Sequence, residues 1–461
     1  MTSDADQPQS GSARELIRQA ADHLEGGDLE SARAFARRAL EASPRVEPDP
    51  QLHEVLGAIA MRDGDWEESY HHLEKACSSG KSLSNIAALA ECAWRTGRLG
   101  RAHECYAFWT DSAPADAKGY LGLAATLHGL RRFEEARRAV EAAARLDPRN
   151  AGIHARRGCI HASLAEFDAA ERAFSEAAQL DGNLAMCRVV SFSGKLFAAL
   201  QRLPEIPEPP VAADRGSSST FDAVALSSCN GPYFDKYGPV FLASLAQNSP
   251  AGVLLHLHLY DPDSALVENV EHQLARCGIR RYVVSTSHTK VGRGGDDRNE
   301  YTQRVVYSCG RFLFLPRWIA RYRRPIVALD IDAVVEGGLG RYVDFAAGRD
   351  IALLQREPAD APWLDIIAYI MVANPNPRTL DYFRLVRNYI WHFLRSGEAH
   401  WHLDQIALYC CLKMMERYAS PPAVAWLTRG DLERGLWHLG HAYDYKLADE
   451  RLARYGLADD V

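Results

Sequence analysis

The sequence predicts an α + α/β protein, an N-terminal α-solenoid followed by a Rossmann-like domain in which helices cover a mixed sheet. Three observations predict it. Small and large residues recur with a period near 34 as far as Gly182. Residues 203–220 (LPEIPEPPVAADRGSSST) then break the composition with four Pro and a Gly-Ser run. Beyond them, apolar runs alternate with amphipathic helical patterns.

The repeat comes first, because a missed period leads to the wrong fold. Its small first-helix residues are Ala20, Gly57, Ala90, Ala124 and Gly158, spaced 37, 33, 34 and 34 apart. A large residue follows each turn: Leu29, Trp66, Leu99, Phe133 and Phe167. The second helix carries Ala39, Ala76, Ala143 and Ala177, with Trp109 in the third copy, and stops at Pro44, Pro114 and Pro148, or near Lys81 and Gly182. Small residues let neighbouring helices approach and the large ones fill the seam, so each pair buries its face against the next. Five such pairs resemble tetratricopeptide repeats. Residues 13–203 form this domain, with 184–203 as a capping helix. The resemblance implies a concave groove that captures a partner segment, an acceptor protein or peptide. A plain dimerising or bracing role is the alternative, and a homo-oligomer stays open.

Positions expected to line the groove are Ile17, Leu24, Met61, Glu91, Trp94, Arg95, His128 and Arg156, a mixture without a single sign. The O-GlcNAc transferase family also joins such repeats to a sugar transferase and uses a ladder of Asn along the groove. The equivalent places here hold Arg18, Val55, Ala88, Gly122 and Arg156, so that ladder is absent.

Composition narrows the classes. With 461 residues, 47% hydrophobic and 25% charged, the chain is too apolar for disorder and long enough for two or three domains. A net charge of -7 lacks the basic surplus that a nucleic-acid binder needs. Residues 1–12 have neither the basic nor the apolar region of a secretory signal, and no apolar run reaches the length of a membrane span. The ten cysteines contain no Cys-x-x-Cys pair and read as reduced thiols in a cytoplasmic protein. Of the 53 basic residues 45 are Arg, which suggests a bacterial, GC-rich genome.

Residues 204–220 read as a linker, semi-rigid and then flexible. In the domain 221–461, strands are expected at 223–228, 253–260, 281–285, 326–330 and 351–354, and helices at 239–247, 265–277 and 309–322. Ligands in such sheets bind at the carboxyl ends of the strands. There the sequence has Pro325-Ile-Val-Ala-Leu-Asp330-Ile-Asp332. In extended geometry the two carboxylates project to one side and repel, unless a divalent cation sits between them. A turn-capping pair is the alternative. Far downstream, Trp437-His438-Leu-Gly440-His441 precedes Lys446. His438 offers a nitrogen ligand favouring Mn²⁺ over Mg²⁺, Gly440 allows close backbone approach to a diphosphate, and Lys446 adds positive charge.

These residues resemble GT-A-fold glycosyltransferases, most closely the family 8 group. Ser227-Ser228-Cys-Asn230-Gly-Pro-Tyr233 looks like the first strand and nucleotide loop. Tyr307-Ser-Cys-Gly-Arg311-Phe looks like the segment whose Arg reaches the donor. Leu329-Asp-Ile-Asp332 resembles the Asp-x-Asp element, and His438-Leu-Gly440 with Lys446 the closing motif. His402-Leu-Asp404-Gln405 resembles the Asp-Gln element beside the transferred sugar, its alternative being an N-cap for a helix over 406–416. Arg311 has its own alternative as a solvated helix residue. The chain departs from the family at Cys229 and Asn230, where an Asp is usual, at 368–374, which lacks Asn-x-Gly, and after Lys446, where Pro-Trp is missing.

The resemblance implies transfer of a hexose or N-acetylhexosamine from a nucleotide diphosphosugar, a UDP-sugar first, with retention of configuration. Asp330, Asp332 and His438 would hold Mn²⁺, or Mg²⁺. Ser227, Ser228, Asn230, Tyr233, Arg311, Asp330, Gly440 and Lys446 would bind the donor, and Asp404 and Gln405 would serve catalysis. An inactive adaptor, or a cell-surface saccharide enzyme whose repeats only oligomerise it, are the alternatives.

Overall fold

The computed structural model describes residues 7–42, 49–80, 82–249, 252–288, 297–356, 361–398, 400–433 and 435–438. Two compact units divide the chain, Met1–Leu180 and Asp181–Val461.

The first unit is an array of five helix pairs: α1 (Gln7–Glu25) with α2 (Leu29–Ala42), α3 (Pro50–Asp63) with α4 (Trp66–Ser79), α5 (Leu83–Arg95) with α6 (Leu99–Ser112), α7 (Ala117–Gly129) with α8 (Phe133–Leu146), and α9 (Ala151–Ser163) with α10 (Phe167–Leu180). Each large residue of the repeat opens the second helix of its pair. Asp49, Ser82, Asp116 and Asn150 cap the first helices of pairs two to five by accepting backbone N–H groups. The turn within a pair needs a left-handed residue. Gly27, Gly64 and Gly97 supply it, while Arg131 and Ala165 adopt it at φ 58° and 59°.

The small positions of the repeat are close-approach points, although the side chains nearest to Gly57 and Gly158 are Leu73 and Phe174 and not the expected Trp66 and Phe167. A Cβ at Gly158 would lie 2.4 Å from the Phe174 ring, and one at Gly57 2.8 Å from Leu73. In the third pair Trp109 takes the place of alanine, and Gly119 lies beneath its ring. Gly122 lies under Tyr106, with 2.0 Å between an added Cβ and the ring, which explains why no Asn stands at this ladder position. The expected groove needs correction: Ile17, Leu24 and His128 are buried, because they close the contacts between adjacent helices. Met61, Glu91, Trp94 and Arg156 stay half-buried and Arg95 exposed. Pro44 and Lys81 lie outside the described residues.

The second unit opens with α11 (Ala185–Val189) and α12 (Gly194–Leu200), continues through β1 (Val211–Arg215), β2 (Ala223–Cys229), α13 (Gly231–Asn248), β3 (Val253–Tyr260), α14 (Ser264–Arg276) and β4 (Tyr282–Ser287), and reaches α15 (Asp297–Tyr322). Then come β5 (Ile326–Leu329), β6 (Ala333–Val335), α16 (Gly340–Phe345), β7 (Ile351–Gln355), β8 (Ile366–Ala373), α17 (Pro377–Arg395), α18 (Leu403–Tyr418), β9 (Val424–Leu427), α19 (Arg429–Leu432) and β10 (Leu436–His438). Eight strands form one mixed sheet in the order β1-β4-β3-β2-β5-β8-β7-β9, and β10 pairs with β6 in a separate ribbon. Strands β2 to β5 are parallel and buried over most of their length, with the polar residues His256 and His258 of β3 satisfied by Ser285 and Ser287 of β4.

Two boundaries shift. The expected capping helix is instead α11 and α12, both packed within the sheet-bearing unit. Tyr389 Oη on α17 donates to Val189 O at 2.6 Å, Asn388 Nδ2 donates to Leu200 O at 2.8 Å, and Phe192 is fully buried. The expected flexible linker contains β1, an edge strand antiparallel to β4. It is tied down by the Glu205 to Arg387 ion pair and by Arg321 to Glu208 at 3.0 Å. Its polar sequence suits an edge strand as well as it suits a linker.

Candidate functional site

The chain lays β2, β3 and β4 outward on one side and then sets β5 on the other side of β2. That reversal is a topological switch point, and the crevice between the carboxyl ends of β2 and β5 is where ligands of open sheets bind. Asn230 follows β2 and Asp330 follows β5.

On the β2 side, Ser227 is fully buried, its Oγ without a hydrogen-bond partner among the described residues. Ser228 is half-buried. Asn230 caps α13 by accepting the Tyr233 N–H at 3.3 Å, and Tyr233 stands half exposed at the mouth. Burial first, then Asp332, raises the Tyr233 hydroxyl above its ordinary pKa, with Asp330 adding to the effect.

On the β5 side the chain does not stay extended. Ala333 N–H donates back to Asp330 O at 3.2 Å, so the two acids occupy a turn. They still share an environment, since both push the buried Tyr369 hydroxyl upward after burial itself. Asp332 is buried, and the Asp330 carboxylate is about a third exposed.

Arg311 decides how Asp330 is held. α15 brings it in at 4% exposure, where it ion-pairs with Asp330 and donates to Ala368 O on β8. Burial opposes its charge, but Asp330 and more weakly Asp404 outweigh that and hold the guanidinium above its ordinary value. The reading of Arg311 as a solvated helix residue is therefore overturned. α15 can come this close because residue 310 is glycine; a Cβ there would meet Tyr260 Oη at 2.1 Å.

Asp404 is 7% exposed and lies in the first turn of α18. The N-cap is His402, which makes no side-chain cap bond, so the cap reading of Asp404 is corrected. Its Oδ1 accepts the Gln405 N–H at 2.8 Å. Burial pushes the Asp404 carboxyl up to about 6 against the pull of Arg311. Gln405 is half-buried, with Oε1 unpartnered among the described residues.

β10 approaches the acids from the far end of the chain. His438 pairs with Ala333, the residue after Asp332, and Tyr369 bridges the two segments: its O accepts the Asp330 N–H at 3.1 Å and its hydroxyl donates to Trp437 O at 2.8 Å. The His438 side chain, Gly440 and Lys446 lie outside the described residues. No group of three metal-ligating side chains is assembled among the described residues. The two carboxylates at this turn are oxygen donors of the kind a hard divalent ion takes.

Tyr260, Tyr369 and Asp261 had no role in the sequence reading. Asp261 had one available signal, an acid directly after an expected strand.

Fold and site thus define a helical-repeat protein joined to a mixed-sheet domain with an acidic crevice at its switch point. No family model matches the chain, and no curated protein matches it. Among solved structures, a tetratricopeptide-repeat protein with an unusual peptide-binding site, YrrB, is 17% identical, covering 40% of this chain and 97% of its own at a TM-score of 0.35. MamA from Desulfovibrio magneticus is 18% identical, covering 38% and 97% at 0.34. A tetratricopeptide-repeat protein from Parabacteroides merdae is 20% identical, covering 39% and 72% at 0.35. No helix among the described residues is long and apolar enough to cross a membrane.

Proposed function

We propose that the sheet-bearing unit is a GT-A-type glycosyltransferase that moves a sugar from a nucleotide diphosphosugar, a UDP-sugar first, to a protein or peptide acceptor recruited by the repeats. The observation that carries this reading is the meeting of Asp330, Arg311 and Asp404 at the switch-point crevice, with β10 registered beside Asp332. Breaking the anomeric bond develops negative charge on the departing diphosphate and positive charge on the sugar. A bound Mn²⁺, or Mg²⁺, would neutralise the leaving group, with Asp330, Asp332 and His438 as its holders. Arg311 then acts by fixing the Asp330 carboxylate, a role that replaces direct donor contact. Asp404, ionised above pH 6, would stabilise the positive charge that develops on the sugar.

The test is hydrolysis of a panel of UDP-, GDP- and ADP-sugars by the full chain with Mn²⁺, against the Asp330→Asn, Asp332→Asn double variant. Release of nucleotide from at least one donor, abolished in that variant, supports the reading. Absence of turnover with every donor, or turnover indifferent to the two substitutions, overturns it and leaves the adaptor alternative.

A further inference from the structure

The closing strand β10 is short, so its register needs support from outside its own ribbon. It spans 3 residues and pairs Leu436 with Val335, Trp437 with Val334 and His438 with Ala333. A two-stranded ribbon of this length is marginal by itself, and a slip of one residue would turn every side chain to the other face. At its start the strand is held twice: Gly435 O accepts the Glu336 and Gly337 N–H groups at 3.0 and 3.1 Å, and Leu436 is buried in the core. Closer to His438, the Tyr369 hydroxyl donates to Trp437 O at 2.8 Å.

Tyr369 is placed for this by a bulge in β8. Against β5 the register of β8 is regular, with Ala328 opposite Met371 and Leu329 opposite Ile370. Against β7 it breaks: Leu353 pairs with Met371 but Leu354 with Ile367, so residues 368–370 are extra on the β8 side. Bulges re-aim side chains and are common beside active sites. This one also turns carbonyls to the site, since Ala368 O accepts the Arg311 guanidinium and Tyr369 O accepts the Asp330 N–H at 3.1 Å. Tyr369, at 6% exposure, thus grips the acid turn with its backbone and β10 with its side chain.

We propose that Tyr369 is a positioning residue that keeps β10, and with it His438, in register beside the acid turn, and so raises the affinity of the crevice for a divalent cation. This rests on the transferase reading above, in which Asp330, Asp332 and His438 hold that cation. The physical argument is entropic, because a ligand held in place before the ion arrives does not have to be ordered by it. Groups that orient metal ligands typically contribute about tenfold to a hundredfold in affinity.

The test titrates Mn²⁺ alone into the full chain and reads the free ion by electron paramagnetic resonance, so no turnover is needed. The unaltered protein is compared with Tyr369→Phe, His438→Ala and the combined Tyr369→Phe, His438→Ala variant. The Asp330→Asn, Asp332→Asn protein serves as the reference for ion bound elsewhere. Tyr369→Phe, which removes one hydroxyl and keeps the ring in the core, should weaken binding about tenfold. In the His438→Ala background the same change should alter affinity by less than about twofold, because the group it positions is gone. Unchanged affinity in Tyr369→Phe, or an equal loss with and without His438, overturns the proposal while the cation site stands. Mn²⁺ that binds the unaltered chain no better than the Asp330→Asn, Asp332→Asn protein overturns it together with the metal-dependent reading.

Discussion

Arg311 and Asp330, 19 residues apart in sequence, form a buried ion pair that ties α15 to the carboxyl end of β5. The pair is asymmetric: the guanidinium is buried and the carboxylate is about a third exposed. Removing the acid strands a buried charge, whereas removing the base leaves a carboxylate that water reaches.

Asp330→Ala should therefore destabilise the chain by about 3 kcal/mol, the scale for breaking a buried pair. Arg311→Met should cost distinctly less. Urea denaturation of both variants checks the order, and equal losses would mean that Asp404 alone suffices to compensate Arg311. Activity tests at this position are better made with Asp330→Asn, which retains a polar partner.

Asp404 supplies a pH dependence with a defined sign. Its folded-state pKa of about 6 lies above the unfolded value near 3.8, so the native state holds its proton more tightly. Stability then falls as pH rises from about 4 to 6, and the cost persists at neutral pH at roughly 3 kcal/mol. Asp404→Asn should raise the melting temperature at pH 7.5, and the difference from the unaltered chain should vanish near pH 4. A difference that does not change with pH would exclude the titration of Asp404 as its cause.

The glycines of the array predict opposite outcomes within adjoining helices. Gly122→Ala would drive a methyl into the buried Tyr106 ring, and Gly158→Ala into Phe174. Overpacking of this kind costs about 1–3 kcal/mol. Gly100 on α6 has open space around it, so Gly100→Ala should stabilise by up to about 1 kcal/mol through helix propensity. Thermal denaturation of the three variants decides between a seam set by close approach and a general tolerance of alanine.

Recruitment by the repeats has its own signature. Arg95 stacks over Trp66 and Trp94 at 4.9 and 5.6 Å and ion-pairs with Glu91 at 2.7 Å, leaving a partly exposed aromatic and charged patch. The Trp94→Ala, Arg95→Ala double variant should depress acceptor modification at least about tenfold, the effect of two good contact residues, while donor hydrolysis stays unchanged. Equal losses of both activities would argue against capture by this surface.

The five helix pairs were legible in the sequence because each repeat packs on its neighbours, so small residues such as Gly57 and Gly158 recur with the repeat period; that Leu73 and Phe174 are the side chains meeting them was decided by the tertiary structure. The parallel strands and the acids after β5 were legible for the same reason: continuous apolar runs mark buried strands, and polarity returns at their ends. Tertiary structure alone decided which distant groups share a dielectric and a hydrogen bond. It joined Arg311 to Asp330, buried Asp404 beside them, linked Tyr369 to Trp437, and drew residues 184–215 into the sheet unit. Such pairings follow from how the chain closes in three dimensions, which periodicity along the sequence does not encode.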